Sequence, residues 1–292
     1  MATFTPVPSF STVPSFQAVP FVSGFRQTVV STTTFTVMAG FARALCNNNI
    51  IQFPSTAANG PGVITVDITT VGANGCFPVS IASLGLTANT LFPVYICSNS
   101  SGTGLGTANP IAGGTTTNTS SIVIVATGNN FLPAGYDTFH RIGWCPIAHA
   151  TSHIIPYTQS GHGNEKTYMF QDPITGVSGG AATAQTVIDL TSGDGLIPPN
   201  ISVNVFLNAA ITPNAAGGYV SIEPGNLTAA SVAPIQVFGS ATGEPNSSCV
   251  QVIATPNAST GDANIQYFVN NAGSSATVNV VGFVDSLGNS LV

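Results

Sequence analysis

The sequence is a succession of short apolar and β-branched runs, each closed within about ten residues by Gly, Asn, Ser or Pro. A helix would need apolar positions recurring every three or four residues over at least ~10 residues, and no segment sustains that pattern. The expected fold class is therefore all-β. A first series of strands is expected at Thr28–Val37, Ile50–Phe53, Val63–Ile68, Leu91–Cys97, Ser121–Ala126, Phe139–Cys145 and Ile154–Thr158. A second follows at Thr186–Leu190, Ile201–Asn208, Gly218–Glu223, Ile235–Phe238, Ser248–Ile253, Asn264–Val269 and Thr277–Val284. Seven strands within about 105 residues fit a β-sandwich or jelly roll. The stretches 55–62 and 98–118 are Gly, Ser, Thr and Asn with few apolar residues and read as surface loops. One short helical turn fits at Leu84–Thr90.

Residues 1–25 follow a different rule. Val7-Pro8-Ser9-Phe10 recurs as Val13-Pro14-Ser15-Phe16, and Val19-Pro20-Phe21 comes six residues further on. Pro8, Pro14 and Pro20 forbid a helix and remove backbone donors, which favours an extended strand. An interval of six is even, so in a strand Phe10 and Phe16 share one face. A lone extended segment cannot bury such a row, so it reads as an arm that docks on a neighbouring subunit. Residues 173–184, Pro-Ile-Thr-Gly-Val-Ser-Gly-Gly-Ala-Ala-Thr-Ala, read as a linker. The expected organisation is thus an arm (1–25), an N-terminal sandwich (26–172), the linker, and a C-terminal sandwich (185–292).

Only 5% of the 292 residues are charged, against about 25% in an ordinary soluble domain. Lys166 is the single lysine, and Arg26, Arg43 and Arg141 are the arginines. Thr, Ser, Asn, Gly and Ala fill the places that Lys and Glu usually take to keep monomers apart. A surface of this kind is readily desolvated against copies of itself. The net charge of −6 argues against nucleic-acid binding, which needs cations for the phosphates. No apolar run approaches the ~18 residues of a membrane span, and the N-terminus lacks the charged and apolar regions of a secretory leader.

The block Phe131-Leu132-Pro133-Ala134-Gly135-Tyr136-Asp137-Thr138-Phe139-His140-Arg141-Ile142-Gly143-Trp144 follows Gly40-Phe41-Ala42-Arg43, Gly72-Ala73-Asn74-Gly75 and Leu91-Phe92-Pro93-Val94-Tyr95-Ile96. In that order these motifs resemble bacteriophage virion structural proteins of the tail-fibre, appendage or capsid-decoration kind. The similarity spans roughly residues 36–284. It departs from the family pattern at His140-Arg141, where a basic pair is usual. The resemblance implies a virion protein made in a host cytoplasm and working by assembly.

Candidate chemistry is thin. Cys46, Cys76, Cys97, Cys145 and Cys249 are widely spaced and odd in number, without a CxxC pair, so free buried thiols are expected. His140, His149, His153 and His162 cluster within 23 residues, but residues four apart on one strand are ~13 Å from each other. Only a hairpin tip at Ala150-Thr151-Ser152 would bring His149 opposite His153. The carboxylates offer no close pair of the glycosidase kind. No catalytic residue, cofactor or metal is expected.

In a chain with four basic residues, each is expected to hold a specific partner. Arg43 and Arg141, with the lone Trp144, are taken as a structural clamp, with Asp137 or Asp67 as the acceptor of Arg141. The expected function is a self-assembling virion structural protein, not an enzyme. Its partners are copies of itself, three in the expected oligomer, and other virion proteins. The alternatives are a host-attachment fibre reading a surface glycan through its loops, or a secreted filament-forming protein.

Overall fold

A computed structural model describes residues 22–43, 50–53, 63–72, 74–98, 121–126, 136, 138–161, 163–191, 196–225 and 235–286. The fold is all-β. The strands of the first half are β1 (Val22–Gly24), β2 (Gln27–Val29), β3 (Thr34–Met38), β4 (Gly40–Arg43), β5 (Ile50–Phe53), β6 (Val63–Asp67) and β7 (Gly75–Phe77). They continue with β8 (Thr90–Ser98), β9 (Ser121–Val125), β10 (Thr138–Ala148), β11 (His153–Ile154) and β12 (Tyr157–Ser160). Then come β13 (Glu165–Gly180), β14 (Thr186–Asp189), β15 (Val203–Thr212), β16 (Tyr219–Pro224), β17 (Ile235–Phe238), β18 (Asn246–Pro256), β19 (Ala263–Val269) and β20 (Ser275–Ser286). The helical turn is a single 3-10 turn at Ile81–Ser83, a few residues before its expected place.

A large sheet runs in the order β17-β16-β19-β18-β15-β20-β13-β12-β2-β3-β6, with β14 added on β19. A five-stranded sheet, β11-β10-β8-β9-β7, and a small one, β1-β4-β5, complete the described strands. β15 alternates between buried and less buried positions along its ten residues, as expected of a strand with one face on a core. Packed inner faces of this kind make the architecture sandwich-like.

Two expectations are corrected. Residues 173–180, expected as a linker, belong to β13, where Ile174 pairs with Val280, Thr175 with Asn279 and Gly180 with Ala276. The ladder absorbs Pro173 and the glycines through three register shifts, since a bulge tolerates residues that a regular strand does not. The end of the expected arm (1–25) also belongs to the fold, while residues 1–21 lie outside the described residues. Val22–Gly24 is strand β1, antiparallel to β4, and both Val22 and Phe25 are buried.

A third difference is local. Thr28–Val37 is a hairpin of β2 and β3 rather than one strand. The Ser31 hydroxyl accepts from the backbone N–H groups of Thr33 and Thr34, at 3.2 and 3.0 Å. Such a side chain can turn the backbone without Gly or Pro.

Because β13 and β20 run through both halves, the buried side chains form one continuous cluster, from Val22 to Phe283. Phe283 near the end of β20 stacks on Tyr168 of β13, centroids 4.8 Å apart. An aromatic pair of this type adds about 0.5–1.5 kcal/mol beyond its buried area.

Candidate functional site

Among the described residues Arg141, Lys166, Glu223 and Asp285 are buried, four of the fourteen charged side chains in the sequence. Arg141 on β10 and Asp285 on β20 form a two-pronged ion pair, Nη1–Oδ2 at 2.8 Å and Nη2–Oδ1 at 3.1 Å. The Trp144 indole N–H donates to the same Oδ2 at 2.8 Å, and the guanidinium lies 4.4 Å from the centre of the Trp144 ring. Every contact here satisfies a buried polar group, as burial of charge requires. The pair joins the five-stranded sheet to the large one across 144 residues of sequence.

Asp285 is therefore an acceptor of Arg141 that neither expected candidate anticipated. Asp67 instead accepts from the Thr69 N–H and hydroxyl and closes its own turn, while Asp137 lies outside the described residues. Arg43 ends β4, and its carbonyl bonds Nδ1 of the buried His140.

Beside the ion pair lies an uncharged network that the sequence did not flag. Tyr168 Oη accepts from Gln159 Nε2 at 2.7 Å and from the Trp144 N–H at 3.0 Å. Gln159 Oε1 accepts from the Gln27 N–H at 2.7 Å, and the Tyr157 hydroxyl donates to Gln27 Oε1. Gly143 makes room for it. A Cβ there would sit 2.4 Å from Tyr168 Oη and 2.5 Å from Gln27 Nε2. The β8–β10 register also shifts between Arg141 and Gly143, a bulge that re-aims the side chains around it.

Among the described residues the histidines do not converge. The β10–β11 hairpin does form, but its register sets Ala148 opposite His153. His149 lies in the turn and bonds Asn89, and His162 is outside the described residues. Burial, together with the nearby Arg141 charge, pushes His140 down to about 4 against the bond to the Arg43 carbonyl, so its ring is neutral at pH 7.

Among the described residues no three His, Cys, Asp or Glu side chains gather as metal ligands. Cys76, Cys97 and Cys145 are buried free thiols and Cys249 an exposed one; Cys46 lies outside the described residues. Gly176-Val177-Ser178-Gly179-Gly180 has the spacing of a nucleophile elbow, but it lies inside β13 rather than at a strand-to-helix turn.

Phe10, Phe16, Phe21, Pro8, Pro14 and Pro20 all lie outside the described residues. What is described is where they join the fold. The Val22 N–H donates to Asn164 Oδ1 at 2.6 Å, and Lys166 Nζ donates to the Gly24 carbonyl at 2.7 Å. Both partners belong to the β12–β13 hairpin, at or beside its turn. Burial lowers the Lys166 ammonium below its ordinary range.

Two hollows lie nearby. An uncharged groove of about 500 Å³ separates the β2–β3 turn from β11 and β12. A smaller hollow of about 190 Å³ is lined by Tyr95, Arg141, Trp144, Pro199 and Asn200 among others. Val30, Met38, Phe41, Val63 and Met169 stand exposed in the first half. Among the described residues no helix is long and apolar enough to cross a membrane.

No protein-family model and no curated protein matches the chain. Among solved structures, a Bacillus thuringiensis Cry1Da tryptic core variant is similar over 90% of this chain and 51% of its own length, at 9% identity and a TM-score of 0.22. A structure of the infectious bursal disease virus Gt strain is similar over 95% of this chain and 74% of its own, at 12% identity and a TM-score of 0.22. The chain spans about half the length of the toxin core. Likeness at this level carries no argument about function.

Proposed function

We propose that this chain is a non-enzymatic structural subunit that assembles with copies of itself, as a capsid-associated or appendage component of a virion. The carrying observation is the surface. With four charged side chains buried, at most ten of the fourteen remain for 14,385 Å² of accessible area. A surface so poor in charge loses little on desolvation and has little repulsion to hold copies apart. The Pro/Phe arm joins at Val22, beside the β12–β13 turn, which suits a connector reaching to a neighbour. The virion context rests on the sequence resemblance.

The test compares the full chain with one lacking residues 1–21, by sedimentation velocity and negative-stain microscopy. The cut is placed before Val22 because β1 belongs to the core. Ordered assemblies from the full chain, and monomers or small rings from the shortened one, are expected. The same discrete oligomer from both would overturn the arm as connector. A second reading, a host-attachment protein, is favoured by the hollow beside Tyr95 and Trp144, since aromatic side chains next to the Asn200 amide suit a sugar ring. Glycan-array binding by a non-assembling chain would establish it instead.

A further inference from the structure

We infer that the groove between the β2–β3 turn and β11–β12 is the receptor for one Val-Pro-Ser-Phe unit, residues 7–10 or 13–16, of a neighbouring copy's arm. This rests on the assembly reading above and assigns the surface it requires. β12 meets β2 through one register pair, Thr158 with Thr28. Further along, the Ile154 N–H donates to the Thr32 carbonyl at 2.8 Å. Between these two contacts the strands part, and the gap opens a groove of about 500 Å³. Ile154, Tyr157 and Phe170, all buried, line it together with the exposed Val30, Pro156 and Met169.

No charged residue lines the groove, and residues 1–25 contain none either. An occupant should therefore be neutral and largely apolar, and extended enough to lie along the parted strands. Val-Pro-Ser-Phe meets both needs: its proline favours an extended backbone, and its phenylalanine is the bulk a largely apolar groove takes up. The recurrence of the unit after six residues presents the same side chain on the same face a second time.

Chain direction favours a neighbour over the same subunit. Val22 is fixed at the tip of the β12–β13 hairpin by Asn164, whereas Val29 and Val30 reach the groove at its far end. The residues before Val22 thus enter one hairpin length away, roughly 15–20 Å by strand rise. Reaching their own groove would require a reversal at the tip. A neighbour's arm needs none.

The experiment uses the full chain with Phe16 or Phe10 replaced by photoreactive p-benzoylphenylalanine, assembled from equal amounts of 15N-labelled and unlabelled copies. Irradiation should give isotopically mixed cross-linked peptides joining the arm to Pro156–Thr158 or Met169–Gln171. Cross-links within one chain, to another surface, or none at all would overturn the assignment.

In parallel Val30→Glu, at a position 63% exposed and so tolerant of charge, should lower the assembled fraction at least tenfold with an unchanged melting curve. Unchanged assembly in Val30→Glu, alongside lost assembly on removing residues 1–21, sinks the groove but leaves the arm reading intact. Unchanged assembly in both sinks the reading itself.

Discussion

Lys166 and Asp285 are register partners on β13 and β20, and each is engaged elsewhere: the ammonium by the Gly24 carbonyl, the carboxylate by Arg141 and Trp144. Asp285 thus neutralises a guanidinium that is 3% exposed. Asp285→Ala should cost about 3–5 kcal/mol, because it leaves that charge buried and unpaired. Arg141→Met combined with Asp285→Leu should recover much of the loss, leaving about 1–3 kcal/mol from the Trp144 N–H without its acceptor. Urea midpoints of the three proteins decide it. A double variant no better than the single one would show that buried charge is not the cause.

Gly143→Ala should destabilise by about 1–3 kcal/mol. The new methyl would meet Tyr168 Oη and Gln27 Nε2 at under 3 Å, and neither group can retreat without breaking the network of Gln27, Gln159 and Tyr168. Thermal unfolding is the readout.

His140 makes stability depend on pH. Its folded pKa, about 4, lies below the ordinary 6.5, so between these values the unfolded chain binds more protons than the folded one. The His140 contribution is complete above pH 6.5 and is lost as pH falls towards 4. By pH 5 the loss should be about 2 kcal/mol. His140→Gln, whose amide can still donate to the Arg43 carbonyl, should flatten the stability profile between pH 7 and 5. An unchanged slope would mean that other groups carry it.

Among Cys76, Cys97, Cys145 and Cys249, only Cys249 should react quickly with a thiol reagent in the native state. It alone of these is exposed, and burial drives Cys76 up to about 12 and Cys145 well above its ordinary value. Cys249→Ser should remove one fast-reacting thiol, and denaturant should release the three buried ones. Rapid native labelling of Cys145 would contradict its burial.

Residues 22–172 expressed alone should not fold, because Phe283 and Asp285 of β20 complete the first half's interior. Dispersed amide NMR signals from that fragment would refute this.

The sequence announced most strands well, since alternation and turn residues report directly on them. Ile50–Phe53 and Ile235–Phe238 fall where expected. Two kinds of feature stayed illegible. β13, the longest strand described, hides behind Pro173, Gly176, Gly179 and Gly180, whose local preference is for turns. Only pairing with β20 overrides that preference, and pairing across a hundred residues leaves no local trace. The turn at Ser31 is the converse case: β-branched neighbours suggest a continuous strand, and one hydroxyl bends it.

At the candidate site, the residue types Arg141 and Trp144 drew notice because each is rare in this chain. Their acceptor did not, because Asp285 is an isolated acid at the end of an apolar strand and nothing in its neighbourhood points to residue 141. The Gln27, Gln159 and Tyr168 network carries no sequence signal at all, since its members are ordinary residues made significant by one bulge and one glycine.

The ladder between β13 and β20 has a mechanical meaning. Its hydrogen bonds lie across the strand direction, and β13 extends from the hairpin where the arm joins into the second half of the molecule. Tension along β13 would load those bonds together in shear rather than peel them open one at a time. The subunit is thus braced along the length of β13.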